Sequence, residues 1–198
     1  MPLMMGLLAS QVGFTFQYIV EACESGYLDA EPRVLICNNT DVGVVKIAEA
    51  HSVPVVHISS RTHPDTEDEQ NAIVAALRSF EVDWVVLAGW NKLIGQPVLN
   101  AYRGRVLNLH PAISPEFGGP GMYGADVHRM VLASGARTTG ARIHLVDEGY
   151  DTGRTLAYVE VPVLPDDDVE SVQRRVKEAE RGLYVDTLNR IAKGELAT

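Results

Sequence analysis

Asn108 and His110, held in the run Asn108-Leu109-His110-Pro111, form the strongest chemical signal in this sequence. Alternate residues of an extended chain share a face, so the amide and the imidazole point the same way. A neutral N–H donor beside a titratable ring is what acyl transfer needs to hold a developing oxyanion. Pro111 stiffens the chain just beyond them. Taken alone, the tetrapeptide fits two hydrogen-bonded structural groups at a strand end equally well.

A second constellation follows downstream. The stretch 144–153 begins at His144 and carries three carboxylates, Asp147, Glu148 and Asp151, with two glycines, Gly149 and Gly153. Such a turn has the freedom to fold a carboxylate back over a site. Asp151 is the candidate: near His110 it would favour the imidazolium and orient a water or an attacking amine. The competing reading is an ordinary polar turn. His51, His57 and His63 are scattered without ligand spacing, Cys23 and Cys37 likewise, so no metal site is expected. His144 alternates with Val146 and is expected in a strand.

These groups need a scaffold, and the apolar pattern supplies one. Nearly continuous apolar runs at 3–9, 33–37, 54–58, 84–88 and 106–109 read as strands covered on both faces. Between them, 16–25, 42–51 and 67–80 carry apolar residues at helical intervals, and His63-Pro64-Asp65 looks like a helix start. The alternation predicts an α/β fold with an open, doubly wound, mostly parallel sheet and helices on both faces. Longer strands at 141–146 and 155–163 flank the polar turn and should make the sheet mixed. Asp166-Asp167-Asp168 opens a final helix over 169–192, as the helix dipole favours. The Gly/Pro-rich segment 115–124 reads as a loop between a strand and a helix. Asn108 then lies at the carboxyl end of a buried strand, where such sheets place their ligands.

Bulk properties narrow the function. With 198 residues, the expectation is one domain spanning 1–198. Seventeen basic against 26 acidic residues give a formal charge of −9, with no basic run, so nucleic acid is not an expected partner. Residues 1–10 are apolar but short and lack a basic leader, so they read as a first buried strand, with no membrane anchor or export signal. Two thiols suit a reducing cytoplasm. Homodimerisation is left open by the sequence.

Val85-Val86-Leu87-Ala88-Gly89-Trp90, Arg105-Val106-Leu107-Asn108-Leu109-His110-Pro111 and Tyr150-Asp151-Thr152-Gly153 resemble, in order and spacing, the folate-dependent phosphoribosylglycinamide formyltransferase family. The resemblance covers nearly the whole chain and implies a single formyltransferase domain with a nucleotide-binding-like half, 1–105, and a catalytic and folate-binding half, 106–198. It implies a formyltransferase-like Rossmann-type fold and transfer of a formyl group from 10-formyltetrahydrofolate to the amine of a small-molecule acceptor, by default phosphoribosylglycinamide, in purine biosynthesis. It further implies that Asn108, His110 and Asp151 are catalytic, without a metal. The folate would lie along Trp90, Asn91, Lys92, Leu93 and Ile94 on one side and Val146, Asp147, Glu148, Gly149 and Tyr150 on the other. Glu180 matches the family's ribose-contacting Glu. The stretch 118–124, followed by His128, is similar to a longer-loop branch of the family.

One segment departs from the pattern. Where the family has a Gly-Asn-Gly-Ser-Asn type run that grips a phosphate with backbone N–H groups, this chain has Ser10-Gln11-Val12-Gly13-Phe14-Thr15-Phe16. Gly13 survives and Thr15 offers a hydroxyl, but Val12 and Phe14 put apolar bulk where a dianion would sit. Gly13, Phe14, Thr15 and Glu180 remain the expected acceptor contacts. Either the phosphate is held differently or the acceptor is another amine, such as an amino sugar or specialised metabolite. At least one of Phe14 and Phe16 is expected to face the core.

Overall fold

The computed structural model describes residues 2–119, 121–122 and 124–196. The apolar runs become seven strands of one sheet: β1 (Leu3–Ala9), β2 (Ala30–Cys37), β3 (Val55–His57), β4 (Trp84–Leu87), β5 (Val106–His110), β6 (Thr138–Leu145) and β7 (Thr155–Pro162). Their spatial order is β3-β2-β1-β4-β5-β6-β7. The first five pair in parallel, while β6 and β7 are antiparallel additions, so the mixed, doubly wound expectation holds. The chain leaves β1 toward β2 and β3 on one side and returns to β4 on the other. A crevice therefore opens between the carboxyl ends of β1 and β4, the place where sheets of this topology bind ligands.

Both faces of the sheet are covered, which is why β1 and β4 are apolar without alternation. On one face, α1 (Phe14–Glu24), α2 (Gly43–Ala50) and α6 (Val169–Ala192) bury Phe16, Val44 and Tyr184 against Leu7, Val86 and Leu107. On the other, α3 (Thr66–Ser79) and α4 (Gln96–Ala101) bury Ile73, Leu77 and Val98 against Leu8, Ile36 and Val85. A further helix, α5 (Ala125–Ala133), follows the glycine-rich segment, which itself contains a short 3-10 turn over Pro115–Phe117. Pro120 and Tyr123 of the expected longer loop lie outside the described residues.

Helix starts follow the expected chemistry. The Asp65 side chain caps α3 by accepting from the Glu67 and Asp68 N–H groups. Asp168 and Ser171 form a capping box on α6, while Asp167 grips Arg175 of the same helix through both carboxylate oxygens at 2.8 Å. The differences from the sequence reading also have physical causes. The second strand starts at Ala30 rather than 33, with a break in its register against β1 between Met5 and Gly6, opposite Pro32, which has no N–H for the ladder. The helix α4 has only six residues, too few to show a period, and carries Pro97 in its first turn.

Candidate active site

The end of β5 and the antiparallel strand β6 form a small polar tile. Asn108 is the register partner of His144, and His110 that of Arg142. Directly opposed side chains lie on one face, about 5 Å apart at Cβ. Leu107, Leu109 and Ile143, at the alternate positions, join the apolar cluster under α6. All four tile residues thus face away from that cluster.

The polar turn folds back over this tile. Gly153 makes the return possible, because a Cβ there would sit 1.7 Å from the Leu145 carbonyl oxygen. Asp151 itself adopts a left-handed backbone, φ +53°, uncommon for a residue with a side chain. Its Oδ1 accepts from Asn108 Nδ2 at 3.2 Å and lies 3.3 Å from His144 Nε2. Its Oδ2 lies 3.4 Å from His110 Nδ1 and accepts from the Gly119 N–H at 3.3 Å. The structure therefore brings Asn108, His110 and Asp151 together, although Asp151 is far from the other two in sequence.

His110 is 2% exposed, and its Nε2 lies 2.9 Å from the Phe117 carbonyl oxygen. A carbonyl only accepts, so Nε2 carries a proton; a second proton on Nδ1 would satisfy Asp151 as well. Burial works against that charged form and lowers the His110 pKa, opposed by Asp151 and the Phe117 carbonyl and reinforced by the positive charge of Arg142 and by His144. Burial would by itself raise the Asp151 carboxyl. The hydrogen bond from His144, the charge of His110 and the Gly119 N–H outweigh it and hold the carboxyl below its ordinary value.

Asn108, His110 and His144 of the tile, with Asp151, form one wall of a cavity of about 720 Å³. Trp90, Asn91, Lys92, Leu93, Ile94, Val146, Gly149 and Tyr150 line it, as the sequence reading proposed for the folate side. Asp147 and Glu148 are absent from that wall. Asp147 instead stabilises the turn, accepting from the Gly149 N–H at 3.1 Å and from Thr152 Oγ1 at 2.6 Å. Asn91 is fixed at the β1–β4 crevice, where its side-chain oxygen accepts from Ser10 Oγ at 2.8 Å and from Asn38 Nδ2 at 3.0 Å. Lys92 is paired with the buried carboxylate of Glu69 on α3. The Trp90 Nε1–H is buried and has no partner among the described residues.

A second cavity, of about 780 Å³, adjoins the first, sharing Gln11, Val12, Thr15, Gly89, Gln173, Lys177 and Glu180. It lies between the first turn of α1 and α6. Here Gly13 takes φ +91°, and any Cβ would collide with Val44 of α2 at 2.7 Å. Phe16 is fully buried, whereas Phe14 is 63% and Val12 55% exposed. The helix starts two residues earlier than its apolar period suggests, which turns Phe14 outward, its ring 6.0 Å from Lys177 Nζ. Burial raises the Glu180 carboxyl to about 7, with Lys177 opposing. The fully buried Tyr184 hydroxyl, 3.2 Å from both the Leu87 and the Leu107 carbonyl oxygens, locks α6 onto β4 and β5 and so fixes this wall.

Three site residues escape the sequence reading as functional groups. Arg142 and His144 become visible only once β6 is registered against β5. His128 of α5 is 1% exposed, lines the first cavity, and is pushed down to about 4 by burial, with Lys177 and His110 adding to the effect. Among the described residues, no group of three or more His, Cys, Asp or Glu could hold a metal ion, and no helix is long and apolar enough to cross a membrane.

Comparison with known proteins identifies the family. The formyl transferase family profile matches residues 5–188. Chloroplastic phosphoribosylglycinamide formyltransferase of Vigna unguiculata is 39% identical over 194 residues, covering 96% of this chain and 61% of that protein. The enzyme of the same name from Mycobacterium tuberculosis is 38% identical over 187 residues, covering 93% of this chain and 82% of that one. Glycinamide ribonucleotide transformylase 1 of Symbiobacterium toebii superposes with a TM-score of 0.93 at 29% identity, covering 100% of this chain and 91% of that structure. The chain spans less than two thirds of the length of the chloroplastic relatives it matches. By its matched residues, its sheet and its relatives, the chain belongs to the formyl transferase family.

Proposed function

We propose that the chain, acting as one domain in the cytoplasm, transfers a formyl group from 10-formyltetrahydrofolate to a primary amine, with phosphoribosylglycinamide of purine biosynthesis as the reference acceptor. The observation that carries this reading is the meeting of three groups in the wall of a cavity, where the Asp151 carboxylate lies within 3.4 Å of both Asn108 and His110. Supporting it are the family membership and the names of the relatives, phosphoribosylglycinamide formyltransferases at 38–39% identity.

The chemistry follows from the donors. As the acceptor nitrogen bonds to the formyl carbon, the carbonyl electrons move onto oxygen, and that oxyanion needs N–H groups aimed at it. His110 Nε2–H supplies one by leaving the Phe117 carbonyl, and Asn108 supplies the other by releasing an amide proton from Asp151. Asp151, held ionised, keeps the second proton on His110 and helps remove the proton that the acceptor nitrogen loses. Collapse re-forms the carbonyl and breaks the bond to the folate nitrogen, which leaves with a proton. Trp90 to Ile94, with Val146, Gly149 and Tyr150, would hold the folate.

A specific observation favours a second acceptor class. The shelf beside α1 exposes Val12 and Phe14, and the cavity above it carries four carboxylates, Glu21, Glu170, Glu178 and Glu180, against three cations, Arg174, Lys177 and Arg181. A phosphate dianion is not the natural guest of such a wall, and a less charged amine with an apolar body is.

Both readings meet one assay: tetrahydrofolate release from 10-formyltetrahydrofolate with no amine, with phosphoribosylglycinamide, and with amino sugars or apolar primary amines. Release confined to the nucleotide precursor supports the reference acceptor, and release with the other amines alone supports the second. Equal release without any amine would mean hydrolysis and overturn the transfer reading.

A further inference from the structure

We infer that Arg142 is a positioning residue of this site: from behind the cavity its guanidinium grips the main chain of Asp151 and lays a fixed positive charge beside the His110–Asp151 pair. The inference rests on the formyl-transfer reading for its rate effects, though not for its electrostatic one.

Arg142 is 3% exposed, on a strand where its neighbours Ala141 and Ile143 are fully buried. Burying a guanidinium is costly unless it is paired, and a long apolar side chain would fill the space at less cost. Yet among the described residues Arg142 forms no ion pair within 4 Å, and its Nε has no partner. Its one identified partner is the carbonyl oxygen of Asp151, to which Nη2 donates. That contact holds the peptide of a residue in a left-handed conformation, and the same residue's carboxylate must reach Asn108, His110 and His144. Scaffold needs alone do not explain a buried arginine there; fixing the Asp151 turn does.

Arg142 is absent from the lining of the cavity, so it acts through its neighbours rather than on substrate. The groups facing His110 are Asp151 from the turn, Arg142 and His144 from β6, His128 from α5 and the Phe117 carbonyl. Asp151 is the single carboxylate among them, and Arg142 offsets its pull on the His110 proton. Without Arg142, His110 would hold that proton more tightly.

Three variants separate grip from charge. Arg142→Lys keeps the charge, Arg142→Gln keeps an N–H donor without charge, and Arg142→Met keeps neither. His110 titration, followed by NMR of the imidazole in the ligand-free protein, should move to higher pH in Arg142→Gln and stay near wild type in Arg142→Lys. In the release assay, Arg142→Met should lose on the order of 10-fold to 100-fold in kcat, with KM for the folate nearly unchanged, as expected for a misplaced carboxylate. The alkaline limb of its rate profile should move up in pH with His110. A His110 titration unmoved in Arg142→Gln, or wild-type kcat in both neutral variants, would overturn the inference. Should Arg142→Met fail to fold, the Gln and Lys variants decide alone. A wild-type chain that transfers no formyl group to any amine sinks the reaction reading instead, while the titration result stands by itself.

Discussion

Two corners of one sheet, both at its ligand-binding edge, are built on opposite principles. At the β5–β6 corner, both oxygens of the Asp151 carboxylate and both nitrogens of His110 have close polar neighbours, and the group is almost closed to water. At the α1–α6 corner, Phe14 and Val12 stand exposed, and no side chain caps the start of α1. The first corner is over-determined: moving any one group strands another buried polar atom. The second is a shelf whose contacts are left for a ligand to complete. On the proposed reading, reaction chemistry tolerates little variation, whereas acceptor recognition can be rebuilt by changing a few side chains around a fixed Gly13.

That contrast can be broken most forcefully at the closed corner. His110→Ala and Asp151→Asn should each reduce turnover by about 10²-fold or more, while the far-ultraviolet spectrum and cooperative unfolding persist. Near-normal turnover in both would show that the polar tile is only structural.

A smaller effect is expected at the open corner. Replacing Phe14 by Ser removes apolar area from the shelf and adds a hydroxyl at the helix start. The ratio of kcat/KM for phosphoribosylglycinamide over an apolar amine should rise by about 10-fold, with kcat on the preferred acceptor within a few-fold. An unchanged ratio would remove Phe14 from the acceptor site and undo the contrast between the two corners.

The smallest effect concerns stability. Glu180 has an ordinary pKa of 4.5 and is raised to about 7 by burial. Between these values the folded chain holds a proton that the unfolded chain has lost, so this group's contribution falls as pH rises through that window and levels off above it. Glu180→Gln should flatten that part of the Tm-against-pH curve. The same slope in the variant would assign the pH dependence to another group.

Much of the scaffold was legible in the sequence because burial on both faces leaves a plain mark. The apolar runs at 3–9 and 84–88 become strands over Leu3–Ala9 and Trp84–Leu87, and the helix at 169–192 is matched to the residue, behind its acidic opening. Asn108 and His110 were legible for a related reason, since two residues at a strand end share a face by geometry alone. The α4 helix was not, being a single short turn-and-a-half behind Pro97, and the early start of α1 was hidden because Phe14 contributes nothing to its buried face.

The sequence by itself determined the layered sheet, the order of its elements and the identity of one pair of polar groups, because those depend on local periodicity and on neighbours in the chain. Only the tertiary structure decided which groups meet that pair. The register of β6 against β5 sets Arg142 and His144 beside them, and the backward fold of the turn delivers Asp151 while leaving Asp147 and Glu148 outside. Register and loop closure are long-range choices, made by packing across the sheet, and no local pattern of residues encodes them.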